Sequence, residues 1–208
     1  MKKNGTLKII LGLTASILGA GVFALSATAL EQSRKKNMKT KEIYFAGGCF
    51  WGTEHFMKQI RGVLDTEVGY ANGKTARPTY EEVCTGRTGH AETVRVEYDP
   101  SVVSLEMLLS LYFETIDPTS LNRQGGDRGT QYRTGIYYTD PSDWKVIERA
   151  LEELSRKYED PIEVENEPLR NFYPAEGYHQ DYLDKNPQGY CHIPRSLFEK
   201  AKQANSEN

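Results

Sequence analysis

Cysteine is scarce in this 208-residue chain, which holds only Cys49, Cys84 and Cys191. So small and odd a number excludes the disulfide framework that staples small secreted domains, and a chain of this length does not need one. Histidine is nearly as scarce: His55, His90, His179 and His192 show no metal-finger spacing with the cysteines. The body also lacks a basic excess. Residues 1–41 hold eight of the 26 basic and one of the 29 acidic side chains, which leaves 18 and 28 for residues 42–208, a balance of −10. An acidic body argues against a nucleic-acid partner, which demands a basic face. There is no internal repeat and no low-complexity tract. The length suits one well-buried domain with appendages.

One long apolar run is present, and it lies at the start. Lys2, Lys3 and Lys8 precede 22 uncharged residues from Ile9 to Leu30, and Ala27-Thr28-Ala29 has the spacing of a cleavage site. Residues 1–30 read as a cleaved signal peptide or a retained membrane anchor, since such a run can span a bilayer. Residues 31–41 read as a linker and 42–208 as the folded body. Arg34, Lys35, Lys36, Lys39 and Lys41 follow the run and weaken the positive-inside signal. The expectation is an exported, extracytoplasmic domain, secreted or attached to a membrane through residues 9–30.

The most informative stretch is Gly47-Gly48-Cys49-Phe50-Trp51-Gly52. Before it, Glu42–Ala46 is rich in strand formers. After it, Thr53, Phe56, Met57 and Ile60 fall at the i, i+3, i+4, i+7 spacing of an amphipathic helix. Two glycines allow the sharp turn between them. Cys49 therefore sits at or near a helix N-terminus, where unpaired N–H groups and the macrodipole favour a thiolate. The bland alternative is a buried structural cysteine in a Gly-rich turn.

Along the body, Val63–Tyr70 reads as a strand and Ala71–Lys74 as a turn. Pro78-Thr79-Tyr80 opens a short helical piece, and Glu92–Tyr98 is a well-alternating strand with Val94, Val96 and Tyr98 on one face. Ser104 caps a helix carrying Leu105, Leu108, Leu109 and Tyr112. Asp117–Gln131 is polar and Gly-rich, hence a loop. Tyr132–Thr139 suggests a strand, and Asp140-Pro141-Ser142 opens a helix with Trp144, Ile147, Leu151 and Leu154 inward. Ile162–Val164 is a last strand, followed by the aromatic-rich Phe172–Tyr182 and a largely irregular C-terminal tail. The mixed connections predict a single-domain α+β two-layer sandwich, helices packed on a mixed or antiparallel sheet.

Several polar groups are candidates to serve the thiol. Glu92 follows Gly89-His90-Ala91; buried among aromatics, its carboxyl would stay protonated near neutrality and act as a general acid. Tyr80 and Tyr132 stand beside a turn and a loop rather than inside an apolar stripe. Asp127 lies among loop glycines, where an aspartate is more often a turn former. Cys84 reads as a structural residue, since a free cysteine is usually a buried small hydrophobe.

Gly-Cys-Phe-Trp-Gly at 48–52, Gly-His-Ala-Glu at 89–92, Asp-Arg-Gly-Thr-Gln-Tyr-Arg at 127–133 and Gly-Tyr-Cys-His-Ile at 189–193 together resemble the type A peptide-methionine sulfoxide reductases, over roughly residues 42–195. The resemblance implies reduction of the S epimer of methionine sulfoxide in oxidised proteins, and the sequence leaves open whether the free amino acid is also used. It implies Cys49 as nucleophile, Glu92 as proton donor to the sulfoxide oxygen, and Tyr80 and Tyr132 as hydrogen-bond donors supported by Asp127. Phe50 and Trp51 would hold the S-methyl group. Cys191 matches the recycling position, closing a Cys49–Cys191 disulfide that a thioredoxin-like reductant reopens. No cysteine follows it, so the relay would stop at one disulfide. No metal or prosthetic cofactor is implied, and the enzyme would be a monomer.

Two rival readings share these features. A thiol peroxidase or general disulfide oxidoreductase would use the same reactive cysteine and resolver, the latter weakened by the lack of a Cys-x-x-Cys, and a non-catalytic module would bind oxidised methionine in the same pocket. Peroxide turnover without sulfoxide turnover marks the first. Indifference to Cys49→Ser marks the second.

Overall fold

The computed structural model describes residues 39–204, and those from Thr40 onward among them form one compact unit. Its scaffold is a six-stranded sheet of β1 (Lys41–Gly47), β2 (Val63–Ala71), β3 (Ala91–Tyr98), β6 (Thr134–Tyr138), β7 (Glu165–Pro168) and β8 (Phe172–Pro174), in the order β7-β6-β1-β3-β2-β8. Every pairing is antiparallel except β6 with β7. The strands β4 (Arg123–Gln124) and β5 (Asp127–Arg128) form a separate small hairpin. The helices are α1 (Phe50–Lys58), α2 (Tyr80–Cys84), α3 (Leu105–Phe113), α4 (Trp144–Ser155), α5 (Tyr182–Lys185) and α6 (Arg195–Gln203). This is the expected α+β sandwich of helices on a mixed sheet.

Strand alternation divides the sheet into two unequal faces. Ile43, Phe45, Val68, Tyr70, Val94, Val96 and Ile136 join the main core with Phe56, Met57, Leu108 and Tyr112 from α1 and α3. Glu92 is two residues from Val94, so it faces this covered side. The opposite face carries the smaller cluster of Tyr44, Ala46 and Tyr137, and beside it Arg95 with Glu42, Asp65 and Glu67. One tyrosine ties two layers together by its polar tip. The Tyr112 hydroxyl donates to the Ala46 carbonyl at 2.6 Å, fixing α3 against the strand that leads into Gly47.

The structure corrects several local expectations. Asp117–Gln131 is not structureless: it contains the β4–β5 hairpin and leads into a 3-10 turn at Thr130–Tyr132, so Tyr132 precedes its strand. The strand expected at Ile162–Val164 begins instead at Glu165, where polar residues pair along β6 to form one edge of the sheet, and it is not the last, since β8 follows at Phe172–Pro174. Trp144 is 38% exposed, whereas Ile147 and Leu154 of its helix are buried. The C-terminal tail is more regular than its sequence suggests: Phe198 and Ala201 turn inward on α6, and Phe198 packs edge-on against His55 and tilted against Phe56. Two buried residues three apart are too short a stripe to stand out among charged neighbours.

The expected export is also corrected. Among the described residues no helix is long and apolar enough to cross a membrane. The run Ile9–Leu30, which carried the signal-peptide, anchor and extracytoplasmic readings, lies outside the described residues.

Candidate active site

Cys49 is the N-cap of α1, at the junction with β1, and is 7% exposed. The turn before it depends on Gly48, whose φ of +78° is left-handed and whose missing side chain leaves room for Gln124. Gln124 bonds both the N–H and the carbonyl of Asp117, at 2.7 and 2.8 Å, and so holds the β4–β5 hairpin against this turn. Through that hairpin Asp127 reaches the site.

The helix terminus acts on the thiol as expected, since the Trp51 N–H favours the thiolate, but burial outweighs it. Burial pushes Cys49 well above the ordinary thiol value, and the charges of Glu92 and Asp127 push the same way. At rest Cys49 is a thiol, not the preformed thiolate that its position alone predicts.

Glu92 is 1% exposed, and its Oε2 accepts the Phe50 N–H at 3.1 Å. Burial raises its carboxyl to about 8, with Asp127 adding to the effect and the Phe50 N–H opposing it. The acid is therefore neutral at pH 7 and lies directly behind the residue that follows the thiol. Tyr132 sits within the fields of both Glu92 and Cys49, and burial holds its phenol neutral. Tyr80, the first residue of α2, is likewise neutral through burial and feels Glu92 and Tyr132. Its N–H donates to Glu176 at 2.9 Å. The capping box of Thr79 and Glu82 fixes the start of that helix. Cys49, Glu92, Tyr80, Tyr132 and Asp127, spread over 84 residues of sequence, are thus brought to one place.

Phe50 is fully buried, with its ring 6.0 Å from Tyr70 and 5.1 Å from His179. Trp51 is half-buried and stacks on Tyr182, centroids 3.8 Å apart. Cys191 is half-buried and unbonded to another cysteine, and its Sγ lies against α1: a methyl group at Gly52 would stand 2.8 Å from it. The Tyr190 hydroxyl donates to Asp127 at 3.0 Å, anchoring this segment beside the site.

Cys84 departs from expectation. It is exposed rather than buried, and its thiol shares a hydrogen bond with the Tyr80 hydroxyl. Sequence reasoning also missed Glu176, His179, Tyr182 and Tyr190. The signal available was the aromatic density of Phe172–Tyr182, which gives no sign of which chain segments those rings meet. Among the described residues no group of three or more His, Cys, Asp or Glu could hold a metal.

Comparison with known proteins gives the site its context. The family model for peptide methionine sulfoxide reductase matches residues 41–208. The peptide methionine sulfoxide reductase MsrA of Lachnoclostridium phytofermentans is 61% identical over 164 residues, 79% of this chain and 99% of that one. The crystal structure of reduced Mxr1 from Saccharomyces cerevisiae superposes with a TM-score of 0.72 at 42% identity, over 76% of this chain and 93% of that one. Mxr1 in complex with Trx2 matches with a TM-score of 0.51 at 30% identity, over 70% and 86% of the two chains. The chain belongs to the peptide methionine sulfoxide reductase family, oxidoreductases that reduce methionine sulfoxide.

Proposed function

We propose that Cys49 is the nucleophile of this reductase, Glu92 its proton donor, and Cys191 the thiol that regenerates it. The observation that carries the reading is the buried pair of Cys49 and a neutral Glu92 held by the Phe50 N–H. A sulfoxide oxygen leaves only once protonated, so an uncharged carboxyl and two neutral phenols are the groups required. Phe50 and Trp51 supply an apolar wall for the S-methyl group.

The sulfur of the S=O dipole is electron-poor. Its approach stabilises negative charge on Cys49 and offsets the burial that holds the free thiol protonated. As the Cys49 sulfur attacks, Glu92 protonates the oxygen and the thiol proton of Cys49 returns Glu92 to its neutral form, with Tyr80 and Tyr132 donating hydrogen bonds to the oxygen and Asp127 supporting the cluster. The hydroxyl passes to Cys49: methionine sulfur gains two electrons, and Cys49 becomes a sulfenic acid. Cys191 then attacks that sulfur, expelling water and forming the Cys49–Cys191 disulfide. A thioredoxin-type dithiol reduces the disulfide by exchange; the Mxr1–Trx2 complex supports this partner class. Oxidised proteins and free methionine sulfoxide, as S epimers, are the proposed substrates, with no metal or prosthetic cofactor. The reading takes the enzyme to act as a monomer.

The test is epimer-resolved turnover of methionine sulfoxide by the full chain, with dithiothreitol as reductant, beside Cys49→Ser. S-epimer turnover that vanishes in the variant is the expected result. Peroxide consumption without sulfoxide turnover would replace this reading with a peroxidase.

A further inference from the structure

His179 occupies the centre of the aromatic cluster and has no part in the chemistry above. It is 1% exposed, with its ring 5.1 Å from Phe50, 4.6 Å from Tyr80, 4.2 Å from Tyr178 and 5.7 Å from Trp51. The Trp51 Nε1–H points at its Nδ1 across 3.1 Å. An indole nitrogen only donates, so Nδ1 must accept, and the proton of the neutral imidazole is on Nε2. Burial lowers His179 below the ordinary histidine value, against the opposing pull of Glu176 and Glu81, so the neutral ring is the resting form.

Nε2 is buried with no hydrogen-bond partner, and the nearest carboxylate oxygen, on Glu176, is 4.0 Å away. Glu176 is already engaged by the Tyr70 hydroxyl at 2.8 Å and the Tyr80 N–H at 2.9 Å. A phenylalanine here would fill similar space without leaving a donor unsatisfied. What it would not do is accept the indole proton.

That acceptor matters because of how Trp51 is otherwise held. The stack on Tyr182, with planes 14° apart, fixes the plane of the indole but lets it slide and turn within that plane. The bond to His179 removes this freedom. From these contacts we infer that His179 is the positioning residue of the methyl wall: by holding the Trp51 indole in one orientation beside Cys49, it makes the reductase select a methyl over a larger alkyl group on the sulfoxide sulfur. This rests on Phe50 and Trp51 forming that wall. A pocket's preference over one methylene is worth roughly 10–200-fold, which is the range a loosened wall would erode.

The experiment compares kcat and KM of the full chain for the S-sulfoxides of N-acetylmethionine and N-acetylethionine, with dithiothreitol. For His179→Ala, KM for the methyl substrate should rise about tenfold with kcat within about twofold, and the methyl-to-ethyl ratio of kcat/KM should fall by roughly five- to tenfold. His179→Asn, whose amide oxygen can replace Nδ1 as acceptor, should restore the ratio. In Trp51→Phe, which has no N–H to hold, adding His179→Ala should lower the ratio no further. In a Trp144→Phe background, Trp51 fluorescence anisotropy should fall in His179→Ala and recover in His179→Asn. Should the alanine variant not fold, His179→Phe against His179→Asn poses the same question at retained bulk. A ratio lowered by Trp51→Phe but untouched by loss of the acceptor overturns the role of His179. A ratio untouched by Trp51→Phe overturns the wall itself.

Discussion

The two cysteines proposed to share a disulfide sit in opposite kinds of surroundings. Cys49 is set into the sheet: β1 leads into it, α1 leads away, and Tyr112 and Gln124 clamp the turn on either side. Cys191 lies on the surface segment between α5 and α6, where Tyr190 is 48% exposed and its bond to Asp127 is exposed too. Burial raises both thiols, but Cys49 far more. The difference separates two demands. Reduction of a sulfoxide needs fixed donors in a dry place, whereas regeneration needs a sulfur that can approach Cys49 and then present the disulfide to a second protein.

The sharpest way to break the comparison is to remove the partner on the surface segment. Cys191→Ser should abolish thioredoxin-supported turnover yet release about one methionine per chain in a rapid burst, while dithiothreitol-supported turnover persists; quench-flow product counting reads this. The next largest effect lies on the fixed side. Glu92→Gln should reduce the burst rate by roughly 10²–10⁴-fold, the usual range for a lost general acid, with no selective effect on recycling. In the parent enzyme the burst rate should lose its acid as pH rises through about 8, where Glu92 ionises. The variant should lack that alkaline limb.

This division also explains how much was legible in the sequence. The fixed half is built from local patterns: strand, two glycines, helix at 42–60, and a strand whose alternation puts Glu92 with Val94 and Val96. Those periods carry face, so the elements and the side of the sheet that Glu92 takes could be read from them, whereas the burial that keeps its carboxyl neutral comes from the layers packed on that side. The second half depends on encounters between distant segments. Nothing near Trp51 announces that Tyr182 will stack on it or that His179 will accept its proton. Thiolate character at Cys49 was misread for the same reason: the helix terminus is local, but the burial that overrides it comes from the whole fold. Cys84 was read as buried because free cysteines usually are, while its position at the last turn of α2 leaves it open.

Gly52 tests whether the halves are coupled through close approach alone. A methyl group there would stand 2.8 Å from Cys191 Sγ and 3.3 Å from Ile193. Gly52→Ala should therefore displace the recycling segment rather than the buried end of α1. The expected result is disulfide formation slowed by about tenfold, of order 1.4 kcal/mol in the barrier, with the burst of methionine unchanged within about twofold. An equal loss in both phases would show that Gly52 supports the helix instead.

The last effect is on stability rather than turnover, at a buried carboxyl that joins the two regions. Glu54 is on α1, and its Oε2 accepts the N–H of Asp181, which is in the left-handed conformation at the entry to α5. Its Oε1 is buried without a partner. Burial raises this carboxyl to about 7, with Asp181 adding to the shift and Lys58 opposing it. A raised carboxyl binds its proton more tightly folded than unfolded, so stability is greatest below the unfolded value and falls as pH climbs through about 7. Glutamine cannot ionise and keeps an oxygen for the Asp181 N–H. Glu54→Gln should leave the melting temperature nearly unchanged at pH 5 and raise it at pH 8, by a gain of about 2–3 kcal/mol. Glu92 contributes a slope of the same sign that extends to about 8, so the variant's profile should be shallower rather than flat. Thermal melts across that range decide the point: a Glu54→Gln curve parallel to the parent's would mean that the carboxyl is ionised in the fold and paired more strongly than its open Oε1 suggests.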